Sequence, residues 1–359
     1  MPNTEKTKEQ IKENPKQSSP LMIEDDYTPV VYDPQYILMV NKLKKYFPIK
    51  GGMVSKTVGY VRAVDGITFN LKRGTTMGLV GESGCGKTTA GRTILRLSGG
   101  KTGGQVLFNG QEIYDLSHKE LRALRTKMQI IFQDPFSSLN PRMTVGQIIA
   151  EPLRIYRITH SKEELNRRVA ELMDMVGLAQ RNVNSYPHEF DGGRRQRIGI
   201  ARALSLGPSF IVCDEPVSAL DVSIQAQILN LLQELQKDLG LTLMFITHDL
   251  SVVRHISQSI CVMYLGQLVE KSPAKELFTT NYHPYTRALL SSIPIPSIHV
   301  KRERILIQGE LSSPIDPKPG CRFASRCPYA KDVCRETTPE LREISPGHHA
   351  ACHFAGQCF

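Results

Sequence analysis

Short, mostly apolar runs recur along the chain, and stretches with helical spacing separate them. They lie at residues 77–80, 210–213 and 241–246. Runs of this length that are apolar at nearly every position are typical of strands buried on both faces. Buried strands that alternate with helices predict an α/β fold, with a mainly parallel sheet and helices on both faces.

A different pattern precedes these runs. Residues 36–71 contain short strand-like segments with polar and apolar positions in alternation. Asn109-Gly110 then separates the apolar residues 106–108 from residues 111–113. Because this dipeptide favours the tight turn of a hairpin, the sequence predicts two antiparallel strands there.

A helix start is signalled further along the chain. Ser161 and Glu164 have the spacing of a capping box, in which each side chain bonds the backbone of the other residue. The apolar positions that follow lie on one helical face, and Gly177 can end the helix. These positions are Leu165, Val169, Leu172 and Val176.

The two ends of the chain differ from its middle. Residues 1–35 are polar and too poor in apolar side chains to offset the entropy of ordering, which predicts a disordered tail. From about residue 294 proline is dense and helical periodicity fades. We therefore expect a main domain over residues 36–280 and a small, loop-rich domain over residues 281–359.

Composition narrows the class of protein. Of 359 residues, 40% are hydrophobic and 22% are charged, values typical of a globular chain. Neither a membrane-spanning apolar run nor an N-terminal apolar segment of the secretory type occurs. The net charge is +10, but the basic residues are scattered. This scatter favours a solvated basic surface over a nucleic-acid-binding face.

Candidate chemistry begins directly after the first buried run. Residues 81–88 read GESGCGKT, which matches the GxxxxGK[ST] pattern of a phosphate-binding loop. Glycines let backbone N–H groups surround a phosphate, and the start of the following helix adds partial positive charge. Lys87 is expected to contact the phosphates of a nucleotide, and the Thr88 hydroxyl to bind Mg²⁺.

Two acids follow the second buried run. Asp214 and Glu215 come at the end of residues 210–213, and the carboxyl ends of parallel strands are where α/β sheets bind ligands. Asp214 is suited to hold Mg²⁺, and Glu215 to polarise an attacking water as a general base.

Four further motifs occur in a fixed order: Gln133 in IFQDP, DGGRRQR from Asp191, Asp221 in SALD, and His248 in THD. With the phosphate loop and the two acids, they resemble the ATP-binding subunit of an ABC transporter. The resemblance implies a P-loop NTPase core, an antiparallel β subdomain, a helical signature subdomain and a small Cys-containing C-terminal domain.

The resemblance also implies roles for individual residues. Catalysis would rest on Glu215, His248 and Gln133, and Mg²⁺ would be bound by Thr88, Gln133 and Asp214. An aromatic residue would stack on adenine, either Phe47 or Tyr46. The full set of implied ATP contacts is Phe47, Gly81, Ser83, Gly84, Cys85, Gly86, Lys87, Thr88, Thr89, Gln133, Asp191, Gly192, Gly193, Asp214 and Asp221.

A narrower resemblance comes from residues 132–142, 186–190, 283–285 and the cysteine-bearing end, which are similar to oligopeptide/dipeptide permease ATPases. It implies a peripheral protein on the cytoplasmic face of the membrane. Its partners would be a second ATPase subunit, two membrane permease subunits and an extracytoplasmic substrate-binding protein, without nucleic acid. The alternatives are a nickel or glutathione importer, or a soluble ABC ATPase outside transport.

The signature motif departs from the usual Ser-Gly-Gly-Gln. Here Asp191 replaces the serine and Arg194 replaces the glutamine. An ionised aspartate cannot donate a hydrogen bond to a phosphate and repels it, although Asp is a good helix N-cap and Arg194 can offset its charge. We expect an asymmetric pair of ATP sites, with the site completed by Asp191 weakened.

Five of the eight cysteines lie in the last 39 residues. Without an export signal, metal or cluster ligation is a better explanation for this clustering than disulfides. The family resemblance implies a [4Fe–4S] cluster on Cys321, Cys327, Cys334 and Cys352, with Cys358 spare. Zinc and metal-free thiols remain alternatives, and His348 and His349 are expected to be polar loop residues.

Overall fold

The computed structural model describes residues 28–51, 56–293, 305–309 and 312–357, and the statements that follow concern this part of the chain. Its strands are β1 (Tyr36–Gly51), β2 (Lys56–Lys72), β3 (Thr76–Val80), β4 (Gly103–Phe108), β5 (Gln111–Glu112), β6 (Met128–Ile131), β7 (Phe210–Asp214), β8 (Thr242–Thr247), β9 (Ser259–Tyr264), β10 (Gln267–Pro273), β11 (Arg342–Ser345) and β12 (His348–Ala350). The predicted disordered tail lies outside the described residues over positions 1–27.

The helices alternate with these strands as the sequence predicted. They are α1 (Lys87–Ile94), α2 (His118–Leu124), α3 (Val145–Ile155), α4 (Lys162–Met175), α5 (Gly192–Leu204), α6 (Val222–Leu239), α7 (Leu250–Ile256), α8 (Ala274–Thr279), α9 (Pro284–Ser291) and α10 (Asp332–Glu336). Two short 3₁₀ turns, Gln180–Asn184 and Pro187–Glu189, precede α5.

Two sheets organise the described residues. The smaller sheet is antiparallel, in the order β2-β1-β4-β5, and the larger runs β11-β12-β10-β9-β3-β8-β7-β6. Strands β9, β3, β8, β7 and β6 of the larger sheet are parallel, which confirms the predicted α/β fold. Val80 pairs with Thr247 and Asp214 with Ile246, so these strands end at the same edge. The loops that follow them therefore meet there.

The larger sheet is buried on both faces. Along β7, Ile211 and Cys213 pack in one apolar cluster, and Phe210 and Val212 pack in the other. Strands β8 and β9 divide their side chains in the same way. Successive strand residues point to opposite faces, so both faces must be covered, one by helices such as α3, α5 and α6 and the other by α1 with the smaller sheet. Burial on both faces explains the continuous apolar runs in the sequence.

The local turn and helix predictions are confirmed, with one difference. Asn109 and Gly110 have φ values of 51° and 81° and join β4 to β5, as a type I′ hairpin requires. Ser161 caps α4 by accepting the Glu164 N–H at 3.0 Å. The Glu164 carboxylate accepts the N–H of His160, at 2.7 Å, instead of the Ser161 N–H that a capping box would use.

The C-terminal region extends the larger sheet. Strand β12 pairs with β10, and β11 pairs with β12, both antiparallel. The expectation that His348 and His349 are loop residues is wrong, because both lie in β12 and His348 is 1% exposed. His348 Nε2 lies 2.8 Å from the carboxylate of the fully buried Glu270. The boundary placed near residue 280 stays a prediction.

A separate observation concerns membranes. Among the described residues, every helix is too short or too polar to cross a bilayer.

Candidate nucleotide site

The phosphate loop connects β3 to α1, as predicted. Gly81 and Gly86 have φ values of 154° and 105°, a region that side chains rarely adopt. A Cβ at Gly81 would lie 2.1 Å from the Met263 carbonyl, and one at Gly86 would lie 2.0 Å from the Ala63 carbonyl. Both positions therefore require glycine, because neighbouring backbone closes around the loop.

Lys87 is held inside this loop. It is 4% exposed, and its Nζ donates to the carbonyls of Gly81 at 2.8 Å and Glu82 at 2.9 Å. The loop opens on a cleft of about 490 Å³, a volume suited to a small-molecule ligand. Predicted residues that line this cleft are Gly81, Ser83, Gly84, Gly86, Lys87, Thr88, Thr89, Gln133, Glu215 and His248.

Asp214 does not line the cleft itself, but it bonds Thr88, which does. The Thr88 hydroxyl donates to Asp214 Oδ1 at 2.6 Å. Asp214 Oδ2 is buried without a hydrogen-bond partner, and the nearest base, Arg92, forms an ion pair at 3.6 Å. Burial is the main cause that raises the pKa of Asp214. An unsatisfied carboxylate oxygen beside a hydroxyl is an oxygen donor set of the kind that Mg²⁺ prefers, so these residues fit the ion.

Glu215 brings the three expected catalytic side chains together. Its Oε2 accepts from Gln133 Nε2 at 3.3 Å and lies 3.3 Å from His248 Nδ1. Its φ is 45°, which is uncommon for a side chain larger than glycine, and its N–H donates to the Ile246 carbonyl at 2.9 Å. The sheet edge and this backbone turn together aim the carboxylate into the cleft.

The signature residues lie elsewhere. Asp191 caps α5 by accepting the Arg194 N–H at 2.8 Å, and Arg194 Nε lies 3.4 Å from the second carboxylate oxygen. Asp191 and Gly193 line a separate cleft of about 380 Å³. A Cβ at Gly193 would lie 2.5 Å from Ile224 of α6, so the two helices touch there.

Other predicted contacts are not brought to the nucleotide cleft. Asp221 begins α6, and neither it nor Gly192 lines the cleft formed by the phosphate loop. Phe47 is 39% exposed, with Lys45 Nζ 5.0 Å from its ring, and Tyr46 is bonded through its hydroxyl to Asp65. Neither of these two aromatic rings lines the cleft within the described residues.

Cys85 is a buried loop residue. Burial raises the pKa of its thiol, and Lys87 only partly offsets this effect. The thiol therefore stays protonated near neutral pH, and a protonated thiol is a poor nucleophile.

Three residues that sequence reasoning did not assign adjoin the phosphate loop. The Tyr285 hydroxyl accepts the Glu82 N–H at 2.8 Å, and Arg326 pairs with the Glu82 carboxylate at 2.8 Å. Leu289 lines the cleft. Residues 283–285, which include Tyr285, belong to the segments that resemble permease ATPases. The pairing of Arg326 with Glu82 has no local pattern in the sequence by which it could have been predicted.

Within the described residues, four of the C-terminal cysteines converge on one cavity. Cys321, Cys327, Cys334 and Cys352 line one cavity of about 20 Å³. Burial raises the pKa of Cys321 to about 11. Within the described residues, no three His, Cys, Asp or Glu side chains form a group that could hold a metal ion. The geometry therefore does not support the predicted cluster, and Cys358 lies outside the described residues.

Comparisons with known proteins agree with this site. A profile of ABC transporters matches residues 64–218, and a profile of the oligopeptide/dipeptide transporter C-terminal region matches residues 269–334. The oligopeptide transport ATP-binding protein AppF of Bacillus subtilis is 55% identical over 320 residues, which cover 88% of this chain and 97% of that protein. The chain belongs to the oligopeptide/dipeptide ABC transporter ATPases. OppF of Escherichia coli, also an oligopeptide transport ATP-binding protein, is 51% identical over 88% of this chain and 95% of its own.

Solved structures of this wider family share the fold. CbiO1 from Clostridium perfringens, part of an ABC transporter complex, aligns with a TM-score of 0.59 and 28% identity over 68% of this chain and 91% of its own. The ATP-binding cassette MJ0796, a dimer with bound ADP and phosphate, aligns with a TM-score of 0.58 and 30% identity. The alignment covers 66% of this chain and 98% of that protein. Membership of the family makes this chain an ATP-binding subunit that hydrolyses ATP with Mg²⁺.

Proposed function

We propose that this chain energises the import of oligopeptides or dipeptides as a peripheral subunit on the cytoplasmic face of a membrane transporter. The observation that carries the proposal is the cleft where the phosphate loop, Gln133, Glu215 and His248 meet. Relatives that match most of the chain are oligopeptide transport ATP-binding proteins. Nickel or glutathione import is the alternative for the cargo.

Each site residue has a task in this proposal. Lys87 exchanges its bonds to the Gly81 and Glu82 carbonyls for bonds to nucleotide phosphates. Thr88, Asp214 and Gln133 would hold Mg²⁺, and the bound ion would screen the phosphate charge. Glu215 accepts the proton of the attacking water, and His248 orients the Glu215 carboxylate through their 3.3 Å contact.

Closure of two ATPase subunits completes each site. Asp191 and Gly193 line a cleft separate from the phosphate loop, which supports a proposal in which the signature segment of a second chain completes the nucleotide site. We propose a second, homologous ATPase as that partner. Because Asp191 is negative and only partly offset by Arg194, the site it completes is the weaker of the two.

The membrane partners are proposed to be two permease subunits, with an extracytoplasmic binding protein that delivers the cargo. An apolar groove of about 260 Å³ between α2 and α3 includes Leu121, Pro152 and Ile155, and Ile155 is 53% exposed. Phe136, in the segment after Gln133, is 54% exposed. These surfaces suit an apolar helix from a permease.

The test is to capture partners from gently solubilised membranes with a Glu215→Gln chain in the presence of ATP. This variant should hold the closed complex because it binds ATP without hydrolysing it. Mass analysis should identify two multi-span proteins and a second ATPase. Recovery of ribosomes or nucleic acid instead would contradict the transport proposal. Uptake of labelled peptides, nickel and glutathione by the reconstituted complex then identifies the cargo.

A [4Fe–4S] cluster in the C-terminal region remains a separate proposal. Its support is the donor set, because four thiols line one cavity and thiolates are the usual ligands of such clusters. Iron and zinc analysis of anaerobically purified protein, with its visible spectrum, tests it. Iron with cluster absorption supports the proposal, whereas zinc or metal-free thiols would end it.

A further inference from the structure

The phosphate loop carries a negative charge of its own. Glu82 is the second residue of the loop and lines the cleft beside Lys87. A carboxylate near the phosphates of a nucleotide opposes binding unless its charge is offset. Lys87, the only cation of the loop, bonds the Gly81 and Glu82 carbonyls and is expected to bind the phosphates, so the Glu82 carboxylate needs a compensating charge from outside the loop.

Arg326 provides that charge from the C-terminal region. Its Nη1 lies 2.8 Å from Glu82 Oε2, and its Nη2 lies 3.3 Å from Glu82 Oε1. Two parallel bonds of this kind fix a carboxylate in orientation as well as in charge. Nη1 also contacts the Tyr264 hydroxyl at 3.3 Å, and the Arg326 side chain is 10% exposed.

A second C-terminal contact holds the backbone of the same residue. The Tyr285 hydroxyl accepts the Glu82 N–H at 2.8 Å. The Tyr285 ring is fully buried, with centroids 4.7 Å from Tyr264 and 5.4 Å from Phe323. Because Phe323 and Arg326 belong to the same short segment, this aromatic cluster also positions Arg326.

We propose that Arg326 is a positioning residue for ATP binding, which neutralises Glu82 and, with Tyr285, fixes the first half of the phosphate loop. The inference rests on the proposed ATP site at Lys87. It makes the C-terminal region part of the nucleotide site, although Arg326 need not touch the nucleotide.

Electrostatic and purely structural roles give different results. If the contact between Arg326 and Glu82 only holds the C-terminal region against the phosphate loop, replacement of either residue weakens ATP binding. Replacement of both residues then does not restore binding. If Arg326 offsets the charge of Glu82, the Arg326→Gln variant binds ATP poorly and a second change, Glu82→Gln, restores binding. Glu82→Gln alone should bind ATP more tightly, because it removes the negative charge and leaves Arg326 in place.

The experiment measures binding of a fluorescent ATP analogue, with Mg²⁺, to the full chain. A unit charge roughly 10 Å from another, at an effective dielectric constant of about 20, changes a binding constant by about one order of magnitude. We expect Arg326→Gln to weaken binding by about that factor, and Arg326→Lys to recover part of the loss because it keeps the charge. The loss should shrink at high salt.

In the assembled complex, Arg326→Gln should raise the KM for ATP and leave kcat within about twofold, because the binding energy lost is common to ground and transition states. Arg335→Gln is the control, since Arg335 pairs with Asp332 on the surface. Thermal melting of each variant reports its folding.

The outcomes separate this inference from the proposed ATP site. If the unaltered chain binds no ATP, or binds it as well after Lys87→Ala, the proposed site is wrong. If Lys87→Ala abolishes binding but Arg326→Gln binds normally, the positioning role is wrong. If Arg326→Gln binds weakly and the double variant recovers nothing, the contact is only structural.

Discussion

Asp214 occupies an unfavourable position until a cation reaches it. One of its oxygens is bonded to Thr88, while the other is buried without a hydrogen-bond partner. Burial is the main cause that raises the pKa of this carboxyl. A carboxyl whose pKa is raised on folding stabilises the fold at low pH, and this contribution is lost as the pH rises through the raised pKa. The ionised residue therefore costs the nucleotide-free protein stability at neutral pH.

An Asp214→Asn change should therefore separate stability from function. The amide keeps an acceptor for Thr88 and removes the buried charge. We expect Tm at pH 7 without nucleotide to rise, by about 2–4 °C per kcal/mol relieved. This gain should shrink as the pH is lowered through the raised pKa of Asp214, and it should vanish below about pH 3, where the carboxyl is protonated in the folded and the unfolded state.

Differential scanning fluorimetry with and without Mg²⁺ and ATP measures both effects. Stabilisation by Mg²⁺ and ATP should disappear in the variant. Asp332→Asn is the matched control, because its side chain is 94% exposed. A lower Tm for Asp214→Asn would contradict the argument.

Glu215 is the proposed general base for ATP hydrolysis. Its replacement by Gln keeps the shape and removes proton acceptance, so ATP hydrolysis by the assembled complex should fall by about 10²–10⁴-fold at this site. ATP binding should persist. Because the companion site is proposed to be the weaker, most of the total activity should be lost. Survival of most activity in a phosphate-release assay would reverse the assignment of the two sites.

At the residue scale, the sequence predicted what local spacing encodes. Lys87, Thr88, Asp214 and Glu215 follow strands that the apolar runs mark clearly, so their meeting at one sheet edge followed from topology. The partner of Glu82 could not be predicted. Arg326 lies 244 residues away, and a single long-range ion pair has no periodic or local signature.

At the element scale, prediction depended on the length of the pattern. Strands β3, β7 and β8 are apolar over four or more positions and were predicted to within one or two residues, whereas β6 and β9 of the same sheet were not predicted. Strand β12 has three residues, two of them histidines, so its alternation is too short to distinguish it from a loop. Its burial arises from pairing with β10 and from the Glu270 carboxylate beneath it.

That carboxylate makes β12 important for stability. Glu270 accepts the N–H groups of Tyr282 and His283 as well as contacting His348. Removal of a hydrogen-bond partner from a buried polar group costs about 1–3 kcal/mol, because the group keeps its desolvation penalty without the compensating bond. We therefore expect His348→Ala to lower the free energy of unfolding by about that amount.

Chemical denaturation measures the loss. His353→Ala is the matched control, because His353 is only half-buried and its ring bonds a backbone carbonyl rather than a carboxylate. A loss for His348→Ala no greater than that for the control would show that the His348–Glu270 contact contributes little.

At the scale of the whole molecule, the segment after Gln133 connects the nucleotide site to the surface that we propose for the permeases. Phe136 is exposed, and the Arg195 guanidinium of α5 lies 4.2 Å from the centre of its ring. Movement of this segment would therefore be transmitted to the signature helix. The sequence pointed to the segment, but the contact between Phe136 and Arg195 became visible only in the folded chain.

Replacement of Phe136 by Asp should uncouple transport from ATP binding. A carboxylate placed against an apolar permease helix costs enough desolvation energy to reduce peptide uptake by about tenfold or more. ATP binding should be retained, because Phe136 does not line the nucleotide cleft. Uptake by reconstituted vesicles is the measurement, and Phe136→Leu, which stays apolar, should transport normally. Full uptake by Phe136→Asp would remove the coupling role.

The hairpin formed by β11 and β12 also determines how far the chain can be shortened. Without this hairpin, β10 would be the edge strand of the larger sheet. Strand β12 pairs with β10, and β11 becomes the edge strand instead. The outermost strand begins with the exposed charges Arg342 and Glu343, which discourage further strand pairing. Proteolysis before Arg342 would uncover β10, and truncated molecules would then add strands to one another. We therefore expect that the protein stays monodisperse only while the β11–β12 hairpin is intact, whether or not the cysteines beside it bind a metal.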